Sequence, residues 1–191
     1  MLNIVLFGPP GAGKGTQSQF LIDKFQLVHC STGDMLRAEM ASGSQLGQEV
    51  KQIIADGKLV GDNIVIELIR NRVGNHPDAK GFIFDGFPRT VAQAEALDAL
   101  LTELGTSISS MVSLKVPEDE LTARLVKRGK ESGRSDDNEE TIRKRITEYN
   151  DKTLPVASYY AGQNKLSDVD GVGSIEDISE RVASVLATAS N

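Results

Sequence analysis

Residues 8–16 read Gly-Pro-Pro-Gly-Ala-Gly-Lys-Gly-Thr, an order of residue types suited to holding the phosphates of a nucleotide. Backbone N–H groups can turn inward around phosphate oxygens only where no Cβ obstructs them, so glycine recurs. The helix expected to begin here adds the partial positive charge of its N-terminus, and Lys14 adds a full one. The general phosphate-loop pattern places Ser or Thr directly after the lysine to ligate magnesium. Here Gly15 stands in that place and Thr16 follows. Magnesium is therefore expected to be held through nucleotide phosphates and waters, with no direct protein ligand, in keeping with its reluctance to dehydrate.

Six arginines join Lys14 as candidate anion-binding groups: Arg37, Arg89, Arg124, Arg128, Arg134 and Arg145, most of them in or beside glycine-bearing loops. Two polyphosphates brought end to end need many cations on the line between them. Arg124 and Arg128 are one helical turn apart and share a face. Asp85 closes the apolar run Phe82–Phe84, a place from which a carboxylate can organise magnesium and its waters. His29, next to Cys30 on a short apolar run, is expected to be a core residue.

These groups must be carried by alternating elements. Short apolar runs at Leu2–Phe7, Val28–Cys30, Phe82–Phe84, Met111–Val116 and Leu166–Val169 read as strands, and Lys14–Phe25, Thr90–Leu104, Glu118–Lys130 and Ser174–Ala189 as helices. That rhythm predicts a parallel sheet covered by helices. In the last helix Ile175, Ile178, Val182, Val185 and Leu186 line one face, and Ser174 with Asp177 makes a capping box. Residues 139–161 read as one long helix disturbed near Pro155. Between Ser31 and Val73 three helical patterns are separated by Gly43, Gly57 and Gly61, which predicts a small helical insertion. The segment Gly129–Asn138 has no apolar residue and is expected to be exposed and mobile.

Composition excludes several classes. The 191 residues carry 21 Lys+Arg against 27 Asp+Glu, so no basic footprint for nucleic acid or anionic membrane runs through the chain. One cysteine and two histidines cannot build a four-ligand zinc site or an internal disulfide. The six-residue apolar start is too short for a signal core or a membrane span. A cytoplasmic setting and a monomer are the expectations.

Three further motifs accompany the phosphate loop: Ser31-Thr-Gly-Asp-Met-Leu-Arg37, Asp85-Gly-Phe-Pro-Arg-Thr90 followed by Gln93, and Gly133-Arg-Ser-Asp-Asp-Asn-Glu-Glu-Thr-Ile-Arg-Lys-Arg145. Together they resemble the adenylate kinase family, from the first strand to the last helix. The resemblance implies the P-loop nucleoside monophosphate kinase fold, with a five-stranded parallel sheet flanked by helices. It implies a single domain made of a core (1–30, 61–126, 138–191), an insertion that binds the nucleoside monophosphate (31–60) and a short, zinc-free lid (127–137).

The activity implied is reversible phosphoryl transfer from MgATP to AMP, giving two ADP. An AMP phosphate oxygen is already ionised near neutral pH, so no general base is needed and the scarcity of histidine is explained. By matched position Gly11, Ala12, Gly13, Lys14, Gly15 and Thr16 would cradle the ATP phosphates with Arg128, and Arg124 and Gly173 would lie near the ATP base. Thr32, Arg37, the segment Lys58-Leu59-Val60, Gly86, Phe87, Pro88, Arg89 and Gln93 would hold AMP. Arg134 and Arg145 would reach the phosphates from the lid and the helix behind it. Lys14, Asp85, Arg89, Arg128, Arg134 and Arg145 are the candidate catalytic set.

The nearest alternative is a pyrimidine (UMP/CMP) monophosphate kinase, against which Thr32 and Gln93 speak. A GTPase would need a guanine-reading NKxD element, and Asn164-Lys165-Leu166-Ser167-Asp168 has its Asp one place late. A nucleotide sensor without turnover would not need the full arginine set.

Overall fold

Every second residue of the first strand is buried on one side of a sheet, and those between are buried on the other. In the computed structural model, which describes residues 1–132, 134 and 136–189, β1 (Leu2–Phe7) sends Val5 and Phe7 into one apolar cluster and Ile4 and Leu6 into another. Both faces of the sheet are therefore covered, as a parallel sheet requires. The five strands are β1, β2 (Val28–Ser31), β3 (Gly81–Asp85), β4 (Ser110–Lys115) and β5 (Leu166–Asp170), in the order β2-β3-β1-β4-β5 with every pairing parallel. This is the α/β architecture expected. Gly133 and Ser135, which fall inside the expected lid and the third motif, lie outside the described residues, as do Ser190 and Asn191.

Helices α1 (Lys14–Phe25), with Leu21, and α9 (Ile175–Ala189), with Ile178, Val182 and Leu186, cover the Ile4 face. On the other face Val65 and Ile69 of α4 (Asp62–Gly74) and Leu97 and Leu101 of α5 (Val91–Glu103) pack with Val156 and Tyr160 of α8 (Pro155–Ala161). Between β2 and α4 lie α2 (Thr32–Ser42) and α3 (Gln45–Ala55), closed by Gly43 and capped by Ser31 and Ser44. Leu125 of α6 (Glu118–Ser132) and Ile142 and Ile146 of α7 (Glu139–Glu148) form a third, small cluster. The capping box is present: Ser174 Oγ accepts from Asp177 N at 3.1 Å and Asp177 Oδ2 from Ser174 N at 3.3 Å.

Three expectations are corrected. The single helix over 139–161 is instead α7, a π-helical turn (Tyr149–Thr153) and α8. Pro155 has no N–H for the next rung, and the bonding widens just before it, with Leu154 N donating to Tyr149 O at 2.8 Å. The last strand residue of β4 is Lys115, not Val116, because Pro117 begins the exit from the sheet and the ladder to β5 ends at Lys115–Asp170. The segment 129–138 is not exposed throughout: α6 continues to Ser132, and the Asp137 side chain is fully buried between two arginines.

Candidate active site

The phosphate loop leaves β1 at its C-terminal end and turns into α1, so the loop amides face the open edge above the sheet, where ligands of such folds sit. Gly11 shows why this loop needs glycine. Its φ is +85°, and a Cβ there would meet Leu125 Cγ at 2.9 Å and Leu121 O at 3.0 Å. The Lys14 ammonium donates to Gly8 O at 2.8 Å and Pro9 O at 3.0 Å, which folds it over the loop.

Two clefts meet at this loop. One is lined by Gly11, Ala12, Gly13, Gly15 and Thr16 together with Asp85, Arg124, Arg128, Arg134 and Gly173. Its neighbour has more apolar walls, formed by Thr32, Lys58, Leu59, Val60, Phe87, Pro88 and Gln93. Lys14, Arg37, Gly86, Arg89 and Arg145 line both. Every candidate binding or catalytic residue thus borders one cleft or the other, and the shared cations mark their junction.

Two of these cations, Lys14 and Arg89, are poorly solvated. Burial lowers the Lys14 amine to about 8, opposed by the charge of Asp85 and assisted by Arg89, Arg145 and Arg128. Burial, then the nearby Arg145, likewise lowers Arg89 to about 10, again opposed by Asp85. Cations held this way gain from an arriving polyanion, the behaviour expected of a functional site.

Several polar partners were not found from the sequence. Asp137 accepts from Arg128 Nε at 2.6 Å and Nη2 at 2.8 Å, and from Arg145 Nη1 at 2.7 Å. Asp136 also pairs with Arg145, at 3.0 Å. Burial alone would raise the Asp137 carboxyl, but the Arg128 hydrogen bonds and the charges of Arg128 and Arg145 outweigh it and hold it below the usual range. The paired acids among three arginines in the third motif were the available signal. Glu120 pairs with Arg124, whose Nη2 also donates to Gly171 O at 3.1 Å, beside Gly173. Ile175 is 56 % exposed and lines the same end of the cleft, a flat apolar surface where a base could lie.

His29 departs from expectation. β2 is an edge strand, so the ring is only half-buried, and its Nε2 stands 3.8 Å from Asp85 Oδ2. Asp85 is also within 3.4 Å of Ser18 Oγ. The Asp85 carboxylate faces Gly15 across 4.0 Å of space measured from where a Cβ would stand. No group of three or more His, Cys, Asp or Glu placed to hold a metal occurs among the described residues.

A family model described as adenylate kinase matches residues 6–165. The chain belongs to the adenylate kinase family. It is 50 % identical to an adenylate kinase of Bacteroides fragilis over 188 residues, covering 98 % of this chain and 100 % of the relative. An adenylate kinase of Maricaulis maris is 52 % identical over 185 residues (97 % and 98 % covered), and one of Flavobacterium johnsoniae 48 % over 187 (97 % and 98 %). The family match spans the phosphate loop, the arginines of α6 and α7 and most of the lining of both clefts, while Gly173 and α9 lie beyond it and are covered by the relatives.

Proposed function

We propose that the chain catalyses reversible transfer of the terminal phosphoryl group of MgATP to AMP, giving two ADP. The observation that carries this is the meeting of two clefts at one set of partly buried cations, Lys14, Arg37, Arg89 and Arg145. A site for one nucleotide would not need the second cleft.

In this reading the loop amides of Gly11–Thr16, with Lys14 and Arg128, hold the ATP phosphates, and Arg124, Gly173 and Ile175 flank its base. Thr32, Lys58-Leu59-Val60, Gly86–Arg89 and Gln93 hold AMP, with Arg37 and Arg89 on its phosphate. An AMP phosphate oxygen forms a bond to the γ-phosphorus as the bond from that phosphorus to the β–γ bridging oxygen breaks. The electron pair passes to the departing ADP, and no proton need be removed. Lys14, Arg89, Arg134 and Arg145 neutralise charge on the group in flight, and the rest of the catalysis is alignment.

Magnesium fits the donors present: one carboxylate, Asp85, and the Thr16 hydroxyl stand beside the loop, few enough for a cation that keeps most of its waters. When bound with ATP it supplies charge neutralisation on the phosphates. Asp85 would hold its waters, with Ser18 fixing the carboxylate.

Water competes as an acceptor, so 31–60 and 127–137 are assigned as the segments that close over bound substrates. No described helix is long and apolar enough to cross a membrane, and a cytoplasmic monomer is the working assignment. Nothing in the site or among the relatives supports the pyrimidine monophosphate alternative. The test is ADP formation from ATP with AMP, CMP, UMP or GMP at equal concentration. AMP is expected to be turned over fastest by a wide margin, and a preference for CMP or UMP would sink the assignment.

A further inference from the structure

Gln93 is 1 % exposed, and its carboxamide is held at both ends. Its oxygen accepts from the Arg89 backbone N–H at 2.7 Å, and its nitrogen donates to Asp62 Oδ1 at 2.7 Å. The other Asp62 oxygen accepts from Thr90 Oγ1 at 3.3 Å. A backbone N–H only donates and a carboxylate only accepts. The two partners therefore decide which end of the amide is oxygen, a choice its near-symmetric shape does not make. One N–H and one lone pair of the amide remain for a ligand in the cleft it lines.

We propose that Asp62 contributes to base specificity on the AMP side: together with the Arg89 N–H it locks the orientation of Gln93, which matches the cleft to a 6-aminopurine and mismatches it to a 6-oxopurine. This rests on the reading of that cleft as the AMP site. Adenine offers an acceptor at N1 and a donor at N6, which the free N–H and lone pair of the locked amide satisfy together. Hypoxanthine and guanine offer the reverse, a donor at N1 and an acceptor at O6. Against them the locked amide sets donor to donor and acceptor to acceptor, whereas a freely turning amide would accommodate either base. Asp62 can act at this distance because it opens α4 while Thr90 caps α5, Gln93 N donating to Thr90 Oγ1 at 3.1 Å. The same carboxylate thereby ties the two helix starts together. Asp62 touches no substrate in this scheme and is a positioning residue.

The test is Asp62→Asn in the full chain. The substitution keeps shape, but Asn can present either oxygen or nitrogen to Gln93, because the Thr90 hydroxyl both donates and accepts, so one of the two constraints on the amide is lost and only the Arg89 N–H still orients it. At saturating ATP, kcat/KM is measured for AMP and for inosine monophosphate, together with the KM for ATP. The preference for AMP is expected to fall about tenfold, the scale of one well-made base contact, with the KM for ATP unchanged. An unchanged ratio, including an equal loss for both mononucleotides, would overturn the role given to Asp62. Equilibrium binding of each mononucleotide alone should show the same shift in ratio without depending on turnover. If the wild-type chain itself failed to distinguish AMP from inosine monophosphate, the reading of the cleft would fall with the proposal.

Discussion

Lys14 is the residue on which most of the site's electrostatics converge. Its amine, lowered by burial to about 8 from 10.5, is charged at neutral pH and titrates just above it. Burying the cation opposes folding fully below pH 8, and the opposition is relieved as pH rises towards 10.5, where the unfolded chain holds more protons. Binding runs the other way, because a polyphosphate needs the proton on. The kcat/KM for ATP is expected to fall by up to about tenfold per pH unit above pH 8, with kcat flatter because bound phosphates hold the proton in place. Lys14→Met should fold normally, lose several orders of magnitude in rate, and show no such fall near pH 8. A wild-type profile flat to pH 9.5, about 1.5 units beyond the titration, would exclude the amine. This residue was legible from the sequence because glycine spacing and position are local properties of a few neighbouring residues. Asp62, Ser18 and Asp137 were not, since each matters through a partner that only folding brings near: 31, 67 and 8–9 residues away respectively.

At the scale of elements, the contact between the α3 end and α7 links the two sides of the site. Thr141 Oγ1 lies 3.4 Å from Ala55 O, and Gly57 follows with φ +72°. A Cβ on Gly57 would stand 3.0 Å from Thr141 Cγ2 and 3.1 Å from Arg145 Cγ, so the chain passes close against the helix that carries Arg145. On the other side of α7, Asp137 clamps Arg145 to Arg128 of α6. Asp137→Asn is expected to lower stability at pH 7 by about 2 kcal/mol, below the range for a fully buried pair because the arginines are partly solvated. The native carboxyl is held low, so its contribution is full above the ordinary Asp value of about 3.9 and is lost as pH falls through the folded-state value. Urea unfolding should therefore show a gap between wild type and variant at pH 7 that closes in strong acid. A gap of equal size at both would mean that the charge is not its cause. Strands and helices were legible to within a residue or two because periodicity and caps are written locally. The π-helical turn was not, since Pro155 marks a disturbance without fixing how the preceding bonds rearrange. Nor was the burial of Asp137, because a polar loop carries no apolar signal of what it will cover.

Across the whole molecule, 27 acids outnumber 21 bases, yet eight of the cations border the two clefts. The surface as a whole repels anions while the cleft collects them, so affinity must come from local contacts and from ligands long enough to reach many of them. A two-headed nucleotide, two adenosines joined through five phosphates, would span both clefts. At a hundredfold excess over its Kd it is expected to raise the melting temperature by about 5–10 °C, the equivalent of about 2.7 kcal/mol in a chain of this length. ATP or AMP alone at the same multiple of its own Kd should give a comparable shift, and the two together about twice that; no gain on adding the second nucleotide to the first would contradict two distinct clefts. The Asp136–Asp137 pair adds a further consequence. Two of the arginines assigned to substrate in the proposed reaction already have carboxylates on them, at 2.6–3.0 Å. An anion that enters shares those guanidinium groups with the acids, through the N–H donors that the acids leave over. A small inorganic ion brings few contacts, whereas a nucleotide also gains the loop amides and a base pocket. In the proposed reaction the acids thus favour ligands that make many contacts over the small ions around the protein.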